Sequence, residues 1–315
     1  MTVATNAGNS SNSIKATSGR RFIARGRGRI AEFLYEFAQD RVATFGLVLL
    51  VLLAVPAILA SLLMPQNPYD LSQLSFLDNL LPPGSSSSAG HVSWLGTDEQ
   101  GRDVLSAIFF GLRLSLLVGL TASAIALMVG LVMGIAAAYF GGKVDTAIMR
   151  LVDIQLSFPA ILIALILLAV LGKGIDKVIV ALVSVQWAYY ARTVRASALS
   201  ERRREYIEAA QCLALPPRVI TLSHLLPNCL PPLVVIVPMQ IASAISLEAT
   251  LSFLGLGVPI TAPSLGLLIA NGYNFMLSGK YWISFFPGFA LMITIFAINL
   301  VGDRLRDILN PKLKR

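Results

Sequence analysis

Charge is scarce in this sequence. Only 13% of its 315 residues are Asp, Glu, Lys or Arg, while 56% are hydrophobic. Soluble domains average roughly 25% charged and 45–50% apolar residues. A water-exposed globule of this length would need more charge to cover its outside, so the composition places much of the surface in lipid. Cysteine is nearly missing as well: Cys212 and Cys229 stand in no CxxC or Cys/His spacing, which argues against a metal site and reads as two small packing residues in a reducing compartment. There is no GxxxxGK[ST] phosphate loop, because Lys143, Lys173 and Lys280 follow glycine but precede Val144, Gly174 and Tyr281. HExxH and GxSxG are also missing, and "LVGD" at Leu300–Asp303 lacks the first glycine of the GxGD pattern of intramembrane aspartyl proteases. The sequence therefore offers no catalytic residue and no metal-ligand set.

What it has in quantity is long apolar runs. A helix needs about 20 apolar residues to cross the hydrocarbon. Six segments qualify: Val42–Met64, Leu114–Phe140, Ile148–Leu171, Ile175–Ala191, Leu230–Leu251 and Trp282–Val301. The fourth is short and ends in "QWAYYARTVR". The expected fold is an all-α membrane protein with six transmembrane helices. Its expected parts are a cytoplasmic N-terminal arm over 1–41 (disordered, then basic), a first span over 42–64, an extracytoplasmic loop over 65–111, a five-helix core over 112–302 and a cytoplasmic tail over 303–315. Within "VGLTASAIALMVGLVMGIAAAYFGG", Gly130 and Gly134 are spaced as GxxxG, which lets helices approach closely in lipid.

The net charge of +8 raises nucleic acid as a partner, but its distribution argues against that. Twenty of the 25 lysines and arginines fall on one side of a six-span topology and five on the other. The positive-inside rule then puts both termini in the cytoplasm. The run "RRFIARGRGR" (Arg20–Arg29) reads as a cytoplasmic arm with lipid headgroups as a minor contact rather than as an export signal, since the apolar core after it is too long for cleavage.

One cytoplasmic stretch interrupts the apolar pattern. "REYIEAAQCLALPPRVITLSHLLPN" (Arg204–Asn228) begins as an amphipathic helix, with Tyr206, Ala210 and Leu213 on one face and Ile207 and Ala214 beside them. Pro216 and Pro217 stop it. A helix lying on headgroups is one reading. Adjacent alanines suit docking into a protein groove better than lipid insertion.

Glu208-Ala209-Ala210, a small residue at Ala214 and Leu226-Pro227 resemble the EAA loop of bacterial ABC-importer permeases, although glycine is usual where Ala214 stands. "LGTDEQGRDVLSAIFFGLRLSL" (Leu95–Leu116), "DIQLSFPAIL" (Asp153–Leu162), "LEATLSFLGLG" (Leu247–Gly257), "PSLG" (Pro263–Gly266) and "NLVGDRLRDILNP" (Asn299–Pro311) are similar to the dipeptide, oligopeptide and nickel branch of that family, from about Ile30 onwards. The resemblance implies a type I importer permease that carries peptides, or a related solute such as a nickel chelate or haem, across the bacterial inner membrane. It also implies a homologous permease partner in a heterodimer, two ATP-binding subunits that hold the ATP and magnesium, and an extracytoplasmic substrate-binding protein. The segment over 200–227 becomes the coupling loop, with Tyr206, Glu208, Ala209, Ala210, Leu213 and Ala214 against an ATPase. A self-sufficient secondary transporter is the alternative, but it would need coupling-ion sites and internal repeats.

Two further features follow from the residues themselves. Glu248 is an isolated carboxylate in an apolar span, so it faces the bundle interior with a partner, either as a structural hydrogen bond or as a pathway or gate element. "GTDEQGRD" (Gly96–Asp103) reads as a structured outer turn with local Asp–Arg pairing.

Overall fold

The computed structural model describes residues 36–309, apart from 69, 71, 73, 89, 260, 261 and 263. The basic run Arg20–Arg29 and the last tail residues lie outside the described residues.

Helix α1 (Arg41–Ile58) is capped by Asp40, whose carboxylate accepts from Val42 N and Ala43 N, and a single turn, α2 (Ala60–Leu63), prolongs it. After the outer loop comes the 37-residue α3 (Val104–Phe140). At 1.5 Å per residue it is about 55 Å long, so it crosses a ~30 Å hydrocarbon core and projects beyond it. Next come α4 (Gly142–Ser157), α5 (Ala160–Leu171) and α6 (Ile175–Glu201). A short α7 (Glu205–Cys212) leads through the turn α8 (Pro217–Val219) and a π-helical stretch (Ile220–Leu225) into α9 (Leu226–Phe253). α10 (Leu265–Tyr273) and α11 (Trp282–Leu309) complete the bundle.

Four described helices are long and apolar enough to cross a membrane, or five if the bent pair α4–α5 counts as one. The single span expected over Ile148–Leu171 is thus two helices meeting at 93°. Pro159 causes the bend: it lacks an N–H and pushes Phe158 into the extended region, at φ −97° and ψ 144°. The fourth predicted span corresponds to α6, which runs ten residues past Ala191 and is not among the helices apolar enough to cross a membrane by composition. It is less apolar because Gln186 and Arg195 turn toward neighbouring helices, as described below.

The core is built on α3 and α6. Gly130 and Gly134 lie against α6, where a Cβ would come within 2.7 Å of the Trp187 and Ala191 carbonyls, respectively. The expected close approach is therefore real, and α6 is the helix that makes it. Val118, Ala122, Val178, Ala181, Leu182 and Ala244 form a buried cluster joining α3, α6 and α9. Mid-bundle, Gln186 donates from Nε2 to the Gln240 carbonyl (2.7 Å), while Ser123 Oγ donates to Gln186 Oε1 (3.2 Å), so these three helices also share a polar tie.

The loop between α2 and α3 folds into a small cap. A two-stranded antiparallel hairpin, β1 (Ser85–Ser86) with β2 (Val92–Ser93), sits beside Asp78, which accepts from Ser87 Oγ (2.6 Å), Ser88 N (2.8 Å) and Ser88 Oγ (2.7 Å). Burial opposes ionisation of Asp78, but these donors and the nearby His91 outweigh it and hold its pKa below the usual carboxylate value. Arg102 Nε pairs with Asp98 Oδ2 at 2.7 Å, both side chains 2% exposed. The pairing expected from "GTDEQGRD" is present, and it is buried. Asp103 caps α3 through Ser106 N (2.8 Å), and Trp282 Nε1 donates to the Thr97 carbonyl (3.2 Å), tying the cap to α11.

Candidate functional site

Helix α7 has two unlike faces. Ile207 (1% exposed) and Ala210 (4%) turn inward. Glu208, Ala209, Gln211, Cys212, Leu213 and Ala214 are exposed, Leu213 at 75%. Tyr206, 39% exposed, lies between. Its hydroxyl donates to Glu201 Oε2 (2.8 Å) at the end of α6 and accepts from Asn228 Nδ2 (3.0 Å) at the start of α9. Burial, and then the Glu201 carboxylate, push the Tyr206 phenol up. Tyr206 therefore fastens α7 to both helices that flank it.

The sequence grouped Tyr206, Ala210 and Leu213 on one outward face. The structure instead separates Ala210, which packs against its own chain with Ile207. The residues free to meet another protein are Glu208, Ala209, Leu213 and Ala214. Glu208 makes no side-chain hydrogen bond among the described residues; its backbone N–H donates to the Arg204 carbonyl (3.2 Å).

The end of α7 explains the Ala214 position. Ala214 has φ +51°, in the left-handed region that favours glycine. Leu215 N donates to the Ala210 carbonyl (3.3 Å) and Ala214 N to the Gln211 carbonyl (2.9 Å), which is a Schellman closure. Pro216 then serves as the N-cap of α8, which starts at Pro217, so the chain turns out of α7 before helix begins again. The following chain enters a π-helical turn, and α9 itself contains Pro231, Pro232 and Pro238. The path from α7 into α9 is thus short of regular backbone hydrogen bonds.

Glu248 lies toward the other end of α9 and is fully buried. Ser115 Oγ of α3 and Ser252 Oγ of α9 each donate to it at 2.8 Å, and Ser264, the N-cap of α10, is hydrogen-bonded to it as well. Around it the backbones touch. A Cβ on Gly266 would strike the Ala249 carbonyl, and one on Gly257 would strike Ser252. The glycines and serines of "LEATLSFLGLG" and "PSLG" hence build one joint between α3, α9 and α10. No group of His, Cys, Asp and Glu able to hold a metal occurs among the described residues.

Comparison with known proteins decides the family. Residues 126–315 match the family described as binding-protein-dependent transport system inner membrane component. The chain belongs to this permease family. Residues 28–83 of the permease match the N-terminal TM domain of oligopeptide transport permease C. It is 36% identical over 286 residues to the di/tripeptide transport system permease protein DppC of Pseudomonas aeruginosa, covering 90% of this chain and 93% of that one. It is 36% identical over 277 residues to the dipeptide transport system permease protein DppC of Bacillus subtilis, covering 88% and 84%. A putative peptide transport system permease of Brucella abortus is 41% identical over 276 residues, covering 88% and 90%. Among solved structures, the inward-facing MetNI methionine ABC transporter matches with a TM-score of 0.50 at 22% identity, covering 66% of this chain and 96% of that one. That likeness concerns the fold. Family membership displaces the self-sufficient secondary transporter, because this permease is a transport component whose ATPase is a separate subunit.

Proposed function

We propose that this permease is one of two homologous membrane subunits of a peptide importer in the bacterial cytoplasmic membrane, with α7 as the element on which an ATPase subunit docks. Two such ATPases would hold the ATP and magnesium, and an extracytoplasmic binding protein would deliver the solute. The peptide substrate is supported by the relatives, named for di/tripeptide, dipeptide and peptide transport. One observation carries the docking assignment: α7 is clamped on its inner face through Ile207, Ala210 and Tyr206, while Glu208, Ala209 and Leu213 face outward with no partner of their own chain. A helix fastened to α6 and α9 through Tyr206 transmits a push into those helices. ATP-driven closure of the ATPases would then shift access to the pathway, as a population shift between two states. Glu248 acts in this scheme as a tie between α3, α9 and α10.

Leu213→Asp combined with Glu208→Lys tests the docking. The double variant changes only exposed groups, so the permease should be recovered at its normal elution volume. Co-purifying ATPase subunits should fall by at least tenfold and peptide uptake with them. Full ATPase retention with normal uptake would assign α7 to the membrane surface instead.

A further inference from the structure

Beside the root of α7 the structure holds two adjoining cavities that the docking of an ATPase leaves unused. One, of about 480 Å³, is a groove between α3 and the π-helical entry to α9. Its walls are Leu131, Val132 and Ile135 on one side and Leu222 and Leu226 on the other, with Arg218 at one end. The second, of about 510 Å³, shares Tyr139, Phe140 and Thr221 with the first and has Arg202 and Gln211 in its wall. An apolar trough thus opens at one end into a cationic, polar recess.

The position of this change in character matches the depth of a bilayer. Arg113, nine residues into α3, bonds Ser61 Oγ at 3.2 Å near the outer end of α1. Counting about 20 residues of hydrocarbon on from Arg113 ends near Gly134. Leu131 and Val132 then lie among acyl chains, while Tyr139 and Phe140 lie at headgroup level, where aromatic rings prefer to sit. Arg218 is exposed and has no ion-pair partner among the described residues. Arg202 spends one guanidinium nitrogen on the Ala138 carbonyl and keeps the rest. Exposed Val132 (64%), Leu222 (62%) and Phe140 (67%) line the trough without a cover from this chain.

We propose that these cavities bind one anionic phospholipid of the leaflet nearest α7, with an acyl chain along Leu131–Ile135 and Leu222, and the phosphate between Arg218 and Arg202. Charge complementarity favours a lipid over a partner helix, because an anionic headgroup supplies the opposite charge for Arg218 and Arg202 in the same molecule that fills the apolar trough. The bound lipid would brace the joint where α7 passes into α9, since Ile207 and Gln211 of α7 share the recess. The inference does not depend on α7 docking an ATPase.

The test uses the assembled importer in phosphatidylcholine vesicles carrying a photoactivatable phosphatidylglycerol. Labelling should fall on the peptides containing Leu131–Phe140 and Thr221–Leu226. Arg218→Gln should lower it about fivefold, the usual effect of one basic group near an anionic surface, whereas Arg218→Lys should retain it. Leu222→Trp fills the trough, keeps the charge, and should also lower it. All three variants should elute as the intact complex. Equal labelling by a photoactivatable phosphatidylcholine would overturn the proposal. So would labelling unchanged in both Arg218→Gln and Leu222→Trp, or a disulfide from Leu222→Cys to the partner permease in place of lipid labelling.

Discussion

Glu248 is held by hydroxyls and no cation, so its contribution rests on hydrogen bonds made inside the bundle. Glu248→Gln keeps a group of the same shape that both accepts and donates, and should leave assembly and peptide uptake close to normal. Glu248→Leu strands the Ser115 and Ser252 hydroxyls, at a typical cost of about 1–3 kcal/mol per buried unpaired group, and should lower the yield of monodisperse complex and the uptake. Normal yield and uptake in the Leu variant would remove the tie from the account. Ala214 is the second position where one atom matters. An L-residue in the left-handed region costs about 1–2 kcal/mol, partly offset in Gly by the greater freedom of its unfolded chain. Ala214→Gly should therefore raise protection of the α7–α9 loop from limited proteolysis by up to about tenfold, and Ala214→Val should lower it. The opposite order would mean that the turn is not left-handed.

Helices and the cap respond as units. Gly134 faces the Ala191 carbonyl across the α3–α6 contact, so Gly134→Leu must separate the two helices. Overpacking of a core typically costs about 1–3 kcal/mol, and the detergent-solubilised permease should unfold at a clearly lower temperature. Asp78 gives the outer cap a pH dependence. Its pKa is lowered on folding, so its carboxylate stabilises the cap above the unfolded carboxylate pKa, and that stability is lost as pH falls through the folded value. Protection of the Ser85–Ser93 hairpin in hydrogen exchange should fall on acidification below about pH 4. Asp78→Asn should flatten that dependence, and a steep dependence surviving in the Asn variant would assign it elsewhere. These elements differ in how far the sequence disclosed them. GxxxG at Gly130 announced a close helix contact, because only backbone approach rewards that spacing in lipid, but spacing carries no information about the partner, α6. The α4–α5 bend was hidden although Pro159 stood in view, since both arms are apolar and hydropathy has no direction. α6 outran its predicted end because helical hydrogen bonding does not stop where the bilayer does, and Arg195 continues it by pairing with Asp145 of α4. Ala210 was assigned outward because a helical wheel shows which residues share a face, not what covers it.

At the scale of the whole molecule, the distribution of charge predicts how the bundle sits in the membrane. A lysine or arginine is held back from crossing, and twenty of the 25 lie in the N-terminal arm, near Lys143 and Arg150, in the Arg192–Arg218 segment and in the tail. All four sets fall on the α7 side if α1, α3, the α4–α5 pair, α6, α9 and α11 alternate. The bent pair is the sensitive point of this scheme, since a pair meeting at 93° could return to the side it came from. If it did, Lys173 and Lys177 would lie on the side of Lys143, and α6 would carry the Arg192–Arg218 segment and α7 to the opposite side. Reporters active on only one side of the membrane decide between the two. Fusions after Ser88 and Ser278 should report outside, and fusions after Gly142 and Arg315 inside. A fusion after Lys173 tests the bend itself: an outside signal there makes α4–α5 a bent span, and an inside signal makes it re-entrant. An inside signal at Ser88 would overturn the six-span arrangement, and with it the placement of α7 on the side where ATP is available.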